Sequence, residues 1–387
     1  MKITQLASIL NEVLPETLGT QAVALEDLSN VVDIGRQLND LDGNDFDRFM
    51  KKLPDRIGRT IFVDRPYSGR APSLMMEAWE YGSILMKIRS ELPERQDNPT
   101  WNLQDGQKYP LDEFKAPTVN YKLFNQKDTG EIQLCVARKQ VREAFLSAQG
   151  VNALFSMLQS WIEKRQTVDR DNLTMRTINT LMGATLNDKN PIRAINILDL
   201  YKKEVDAETT LTATTCLNDL SFLKFAAFVM KRTSSRMENL MRIFNIGGTS
   251  KATPKSMQKI VLLADFAEKA NVYLQSDTFH NEFTKFPQAD LVDFWQGSGT
   301  DFAFDSVSKI HVTIQNPKGS DTVTVEQTGI LVTIFDRDAA AICNMANYTT
   351  SFFNPHGEFE TMWYKNDYEF LNDYDENCVV FYVADAE

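Results

Sequence analysis

Two runs of alternating apolar and polar residues constrain this chain more than anything else in it. In the first, Ile84, Met86 and Ile88 alternate with Leu85, Lys87 and Arg89; in the second, Val119, Tyr121 and Leu123 alternate with Asn120, Lys122 and the exception Phe124. A period of two sends successive side chains to opposite faces of a strand. The intervening tip is polar and broken by Pro93, Asn98-Pro99, Asp105-Gly106 and Pro110, so the two runs predict a long hairpin with a wide loop. A two-stranded ribbon is marginal alone in water, because nothing covers its apolar face. The ribbon needs a foreign surface, and the expected one is another subunit.

The flanking segments show where the subunit finds cores of its own. In residues 1–78, Leu6, Ile9, Leu10 and Val13, then Leu25, Leu28, Val32 and Ile34, recur at helical spacing between Pro and Gly breakers, which predicts an arm leaning on a host surface. Beyond the ribbon, a turn is expected at Asp128-Thr129-Gly130, then a strand over 131–137. The strongest helix signal follows: Val151, Leu154, Phe155, Leu158, Trp161 and Ile162 form one apolar stripe over 149–165. A second helix, capped near Asp169 or Asp171 and carrying Leu173, Ile178, Leu181 and Met182, is expected to pack beside the first. Residues 190–345 mix helices, near 219–231 and from Thr253-Pro254 onward, with strands at 272–275, 310–314 and 330–335. A closing hairpin, 348–353 and 358–370, turns at Asn354-Pro355-His356-Gly357 and aligns Met362, Tyr364, Tyr368 and Phe370 on one face. Such a mixture over 387 residues predicts an α+β protein with more than one core.

Composition narrows the function classes. A net charge of −12 argues against a nucleic-acid-binding module, which attracts phosphate through clustered Lys and Arg. A container for DNA is different, since its wall gains from not adhering to its contents. Cys135, Cys216, Cys343 and Cys378 stand far apart with no Cys-x-x-Cys pair, which favours buried thiols over a zinc site or disulfide framework. No signal-peptide stretch and no run of about 18 apolar residues occurs, so the reading is a protein of cytosolic origin without a membrane span.

Candidate chemistry is sparse. His280, His311 and His356 have no second His or Cys at ligand spacing. His356-Gly357-Glu358 lacks the Pro-Cys-x-x-Cys half of a zinc deaminase. Gly247-Gly248-Thr249-Ser250-Lys251 fails the spacing of a phosphate loop and reads as a flexible loop. Asp336-Arg337-Asp338 reads as a solvated turn, and Asp373-Tyr374-Asp375-Glu376 lacks the glycine of a calcium loop. No catalytic residue, metal or cofactor is expected. Trp79, Tyr81, Trp101, Tyr109, Trp363, Tyr364 and Tyr368 admit two readings, local core or subunit contacts, where Trp and Tyr are enriched.

Two stretches carry a family resemblance. One is Asn120-Tyr121-Lys122-Leu123-Phe124-Asn125-Gln126-Lys127-Asp128-Thr129-Gly130, running through Val141-Arg142-Glu143-Ala144-Phe145 into the long helix. The other is Leu331-Val332-Thr333-Ile334-Phe335-Asp336-Arg337-Asp338, then Phe353-Asn354-Pro355-His356-Gly357, Trp363-Tyr364 and Val379-Val380-Phe381-Tyr382-Val383. In this order they resemble the Hong Kong 97-type fold of tailed-bacteriophage major capsid proteins, most closely the phi-29-like short-tailed phages. The resemblance spans about residues 79–387 and rests on structural motifs in series.

The resemblance implies an N-terminal arm (1–78), an E-loop (79–126), a first P-domain part with the spine helix (127–189), an A domain (190–345), a second P-domain part (346–374) and a return strand into the A domain (375–387). It implies a noncatalytic shell subunit that forms hexamers and pentamers. Its implied partners are a scaffolding protein, a portal and packaged double-stranded DNA bound without sequence specificity. It is expected in the virion after assembly in the bacterial host cytoplasm. The candidate interface residues are Trp79, Tyr81, Ile84, Met86, Ile88, Trp101, Tyr109, Val119, Tyr121 and Leu123. The alternatives are an encapsulin-like container, or a cytosolic enzyme or ligand-binding protein whose site leaves no motif.

Overall fold

The computed structural model describes residues 7, 10, 11, 13, 14, 24, 30–39, 74, 85–91, 93, 95, 98–109, 116, 118–275, 289–296 and 306–385. In chain order these form α1 (Val31–Asn39), β1 (Leu85–Ser90), β2 (Val119–Phe124), β3 (Gln126–Ala137), α2 (Arg138–Ala144), α3 (Ala148–Asn187), β4 (Ala194–Asn196) and α4 (Ile197–Glu204). They continue with α5 (Leu220–Met237), β5 (Gln258–Leu263), α6 (Ala264–Gln275), β6 (Ala289–Val292), β7 (Ile310–Gln315), β8 (Thr322–Gln327), β9 (Ile330–Asp336), β10 (Ala340–Asn354), β11 (Phe359–Asn372) and β12 (Cys378–Tyr382). The class is α+β, as the sequence predicts.

Two cores are strung along one helix. At 40 residues α3 is about 60 Å long. Ser147 caps it by accepting a hydrogen bond from Gly150 N. Its first half lies on an antiparallel sheet of order β10-β11-β3, where Val151, Leu158 and Ile162 are buried with Val136, Met362 and Tyr364. Buried Ala7, Leu10, Val13, Leu14, Ala24 and Ile34 complete this core. Asn11 pins the arm to itself, its side chain bonding both N and O of Ala24. The described residues of this segment thus pack on their own subunit; Leu6, Ile9, Leu25 and Leu28 lie outside the described residues.

The second half of α3 enters a larger core around a mixed sheet of order β4-β12-β9-β5-β6. Here the helix is enclosed on nearly all sides, and its buried Thr174, Thr177 and Thr185 return their hydroxyls to the carbonyls of Arg170, Leu173 and Leu181. Gly183 lets the β7-β8 ribbon approach, since a Cβ there would meet Val312 Cγ1 at 2.6 Å. β9 is buried along its whole length, as is most of β12, which explains why both read as continuous apolar runs instead of alternations.

Several expectations are corrected. The turn at 128–130 is absent, because β3 runs unbroken from Gln126 and pairs with β11 throughout. The two helices over 149–165 and beyond 169 are one, since no Gly or Pro stands between Gly150 and Gly183 and Arg165 pairs with Asp169 one turn on. Trp161 is 52% exposed, outside the buried stripe, and the side chain of Phe155 lies outside the described residues. Thr253-Pro254 opens a single 3₁₀ turn leading into β5, not a helix. Residues 272–275 end helix α6 and are not a strand. Asp336 is buried and capped by Thr253, so the Asp336-Arg337-Asp338 turn is solvated only at Arg337 and Asp338.

Candidate assembly interface

β1 and β2 pair antiparallel with Met86 opposite Leu123, Ile88 opposite Tyr121 and Ser90 opposite Val119. One face of the ribbon therefore carries five apolar side chains, with Leu85 and Phe124 paired on the other face, and all five are exposed: Tyr121 by 70%, Ile88 by 64%, and Met86, Val119 and Leu123 by more than half. None belongs to either hydrophobic core. Scattered exposed apolar residues are ordinary, whereas these five form a contiguous set on one ribbon face.

The tip continues this surface. Trp101, at the end of a 3₁₀ turn, is 93% exposed, with Leu103 and Tyr109 also open. Polar groups tie together the tip's described residues: Tyr109 Oη accepts from Gln104 N, and Asn98 Oδ1 accepts from Thr100 N. Gly106 supplies the positive φ its turn requires. Trp79, Tyr81 and Ile84 lie outside the described residues.

The opposite face turns inward and is charged. Lys87 and Lys122 are paired across the strands, with Arg89 beside them. They meet the turn between β11 and β12. Lys87 Nζ reaches Asp373 Oδ2 at 3.1 Å and the Asp338 carbonyl oxygen, Arg89 bonds Asp373 and reaches Glu376 Oε1 at 2.6 Å and Asp375 Oδ2 at 2.9 Å, and Lys122 reaches Asp375 Oδ2 at 2.5 Å. Burial raises the Asp373 carboxyl pKa, but Lys87, Arg89 and Lys122 outweigh that and hold it below its ordinary value.

The acidic turn is itself held firmly. Asp373 N bonds Ala339 O, Asp375 N bonds Asp373 Oδ1, and Thr249 Oγ1 donates to Asp375 O. The Gly247-Gly248 segment is consequently a fitted loop and not a flexible one: a Cβ at Gly247 would strike the Asp375 carboxylate, Asn245 bonds Thr249, and Lys251 pairs with Glu376. A groove of about 760 Å³ separates this loop from the ribbon.

Lys87, Arg89, Lys122, Asp373, Asp375 and Glu376 are the site residues that sequence reasoning missed. The available signal was complementary charge, three cations on the ribbon's second face and three carboxylates in one turn. The aromatic ambiguity also divides: Tyr364 and Tyr368 are core, while Trp101 and Tyr109 are surface. His356 lies in the β10-β11 turn and His311 on β7; His280 is outside the described residues. Among the described residues no group of three or more His, Cys, Asp or Glu could hold a metal ion, and no helix is long and apolar enough to cross a membrane.

Comparison with known proteins supplies the context. No curated protein sequence matches the chain. The chain is similar to a solved capsid structure of Staphylococcus phage Andhra, with TM-score 0.53 and 11% identity over 84% of this chain and 86% of that one. A capsid structure of cyanophage P-SCSP1u matches with TM-score 0.46 and 10% identity, over 84% and 92%. The first likeness bears out the Hong Kong 97-type capsid fold expected from the sequence. The family model of the Phi29-like phage major capsid protein matches residues 6–382, nearly the whole chain, and the chain belongs to that family of shell-forming subunits.

Proposed function

We propose that this capsid subunit joins neighbouring copies through the outward face of the β1–β2 ribbon, with Met86, Ile88, Val119, Tyr121 and Leu123 as its contact residues. Trp101 and Tyr109 extend that contact at the tip, and Trp79, Tyr81 and Ile84 extend it in sequence. The observation that carries the reading is the ribbon's inverted amphipathicity: its charged face is on its own subunit and its apolar face is left to solvent. Full burial of one such side chain stabilises by roughly 1.5–3 kcal/mol. Association entropy offsets much of that at any single contact, and repetition around each subunit restores it.

In this reading 79–126 is the E-loop, 127–189 and 346–374 form the P domain, 190–345 with the strand from 375–387 forms the A domain, and 1–78 is the arm. The protein has no turnover. Hexamers and pentamers close the shell with a scaffolding protein and a portal, the enclosed genome is double-stranded DNA, and subunits are made in the host cytoplasm before entering the virion. The family membership supports these roles.

Replacing Ile88 and Tyr121 together by Ser tests the interface. The variant should keep wild-type circular dichroism and melting while the concentration needed to form particles, read by light scattering and electron microscopy, rises at least about tenfold, equivalent to 1.4 kcal/mol per subunit. Closed particles at the wild-type threshold would remove the ribbon face from the interface.

A further inference from the structure

The ribbon is attached to its subunit in an unusual sense. A hairpin on a globular body ordinarily turns its apolar face inward and its charges outward. Here Lys87, Arg89 and Lys122 face inward, and their side chains are mostly or partly withdrawn from water. The apolar face points away, although an open groove lies beside the ribbon. Apolar burial would drive the opposite arrangement, so something must hold the ribbon this way round.

We propose that Asp373, Asp375 and Glu376 form an ionic seat that fixes the orientation of the ribbon before assembly, so that the free subunit already presents its apolar face outward. Three features support a seat with a defined geometry. The three cations come from both strands, so rotation of the ribbon about its long axis separates all of them at once. Arg89 engages all three carboxylates, which a planar guanidinium can do only over a narrow range of angles. The acceptor turn is braced by Ala339, Thr249 and the fitted Gly247, and Lys251 holds Glu376 from the far side. The remaining charged groups at the groove are Arg242, which bonds Ser250, and Glu91, which accepts from Asn120. Neither competes for the seat.

The functional consequence is preorganisation. A loop already held in its bound orientation loses less freedom on binding, which tightens association without adding a contact. The seat also opposes collapse of Ile88 and Tyr121 onto their own subunit, which would hide the assembly surface. This inference rests on the ribbon face being the subunit contact, so the test separates the two claims.

The test uses the full-length, unassembled subunit in a Cys135→Ser background, with spin labels at Gln104→Cys in the tip and Asp206→Cys on the body. At neutral pH and low salt the seat gives one narrow distance distribution. Arg89→Gln with Lys122→Gln should broaden or shift that distribution while leaving circular dichroism unchanged, should lower the melting temperature because the buried Asp373 carboxylate loses two partners, and should raise the particle-forming concentration at least threefold. Ile88→Ser with Tyr121→Ser should leave the distribution narrow while raising the particle-forming concentration at least about tenfold. An unchanged distribution in the Arg89/Lys122 variant overturns the seat. Normal assembly of the Ile88/Tyr121 variant overturns the interface and leaves the seat standing. If the Arg89/Lys122 variant unfolds, Lys122→Gln alone, whose side chain is the most exposed of the three, serves as the second variant, with the same distance readout deciding.

Discussion

Ile162 and Trp161 are adjacent and equally apolar, yet Ile162 is fully buried and Trp161 is half open. At about 100° per residue Trp161 lies roughly 80° round the helix from Val151, at the edge of the stripe that meets the sheet. Replacing Ile162 by Ala should cost about 2–5 kcal/mol, whereas Trp161→Ala should cost well under half of that; urea unfolding of the unassembled subunit measures both. Asp373 yields a prediction in pH. Its folded pKa is depressed below the ordinary 3.8, so its contribution to stability is complete above that value and is lost as pH falls through the lower folded one. The difference in urea midpoint between wild type and Asp373→Asn should stay constant from neutral pH to about pH 5 and shrink below that. The ribbon's apolar face was legible in the sequence, because alternation is local. Its ionic contact with the body was not, since Arg89 and Asp373 are separated by 284 positions and each charge taken singly looks like a solvated side chain.

The same division between local and distant information runs through the elements. The closing hairpin and β9 were legible because their patterns are long and periodic or uniformly apolar. Helix α3 was misread as two because Asp169 and Asp171 resemble caps and because the stripe dissolves beyond Gln166. The stripe dissolves for a tertiary reason: the first half of α3 buries one face on a sheet, while the second half is enclosed by the larger core. β5 and the end of α6 were confused for a related reason, since short apolar runs fit a buried strand or a buried helix equally well. One substitution distinguishes a continuous helix from two. Proline at Asp169 would be tolerated as the first residue of a separate helix, but within α3 it removes a hydrogen bond and should destabilise the subunit by about 3 kcal/mol or more. Thermal melting followed by circular dichroism provides the comparison.

For the whole molecule, the exposed apolar side chains of the ribbon are part of neither core. Deleting residues 94–115 should therefore leave a subunit with wild-type circular dichroism that fails to close shells in the electron microscope. Normal particles would make the tip dispensable, and unfolding would place the ribbon within the subunit's own core. The placement of β12 has a separate consequence, in time. This strand lies between β4 and β9, parallel to one and antiparallel to the other, so the five-stranded sheet is completed by residues 378–382, which a ribosome adds after every other strand of that sheet. Until they emerge, β4 and β9 have unpaired edges facing each other and the larger core stays open. A polypeptide interrupted anywhere upstream of Cys378 cannot finish that sheet. The order of synthesis thereby makes translation of this strand a precondition of a finished building block.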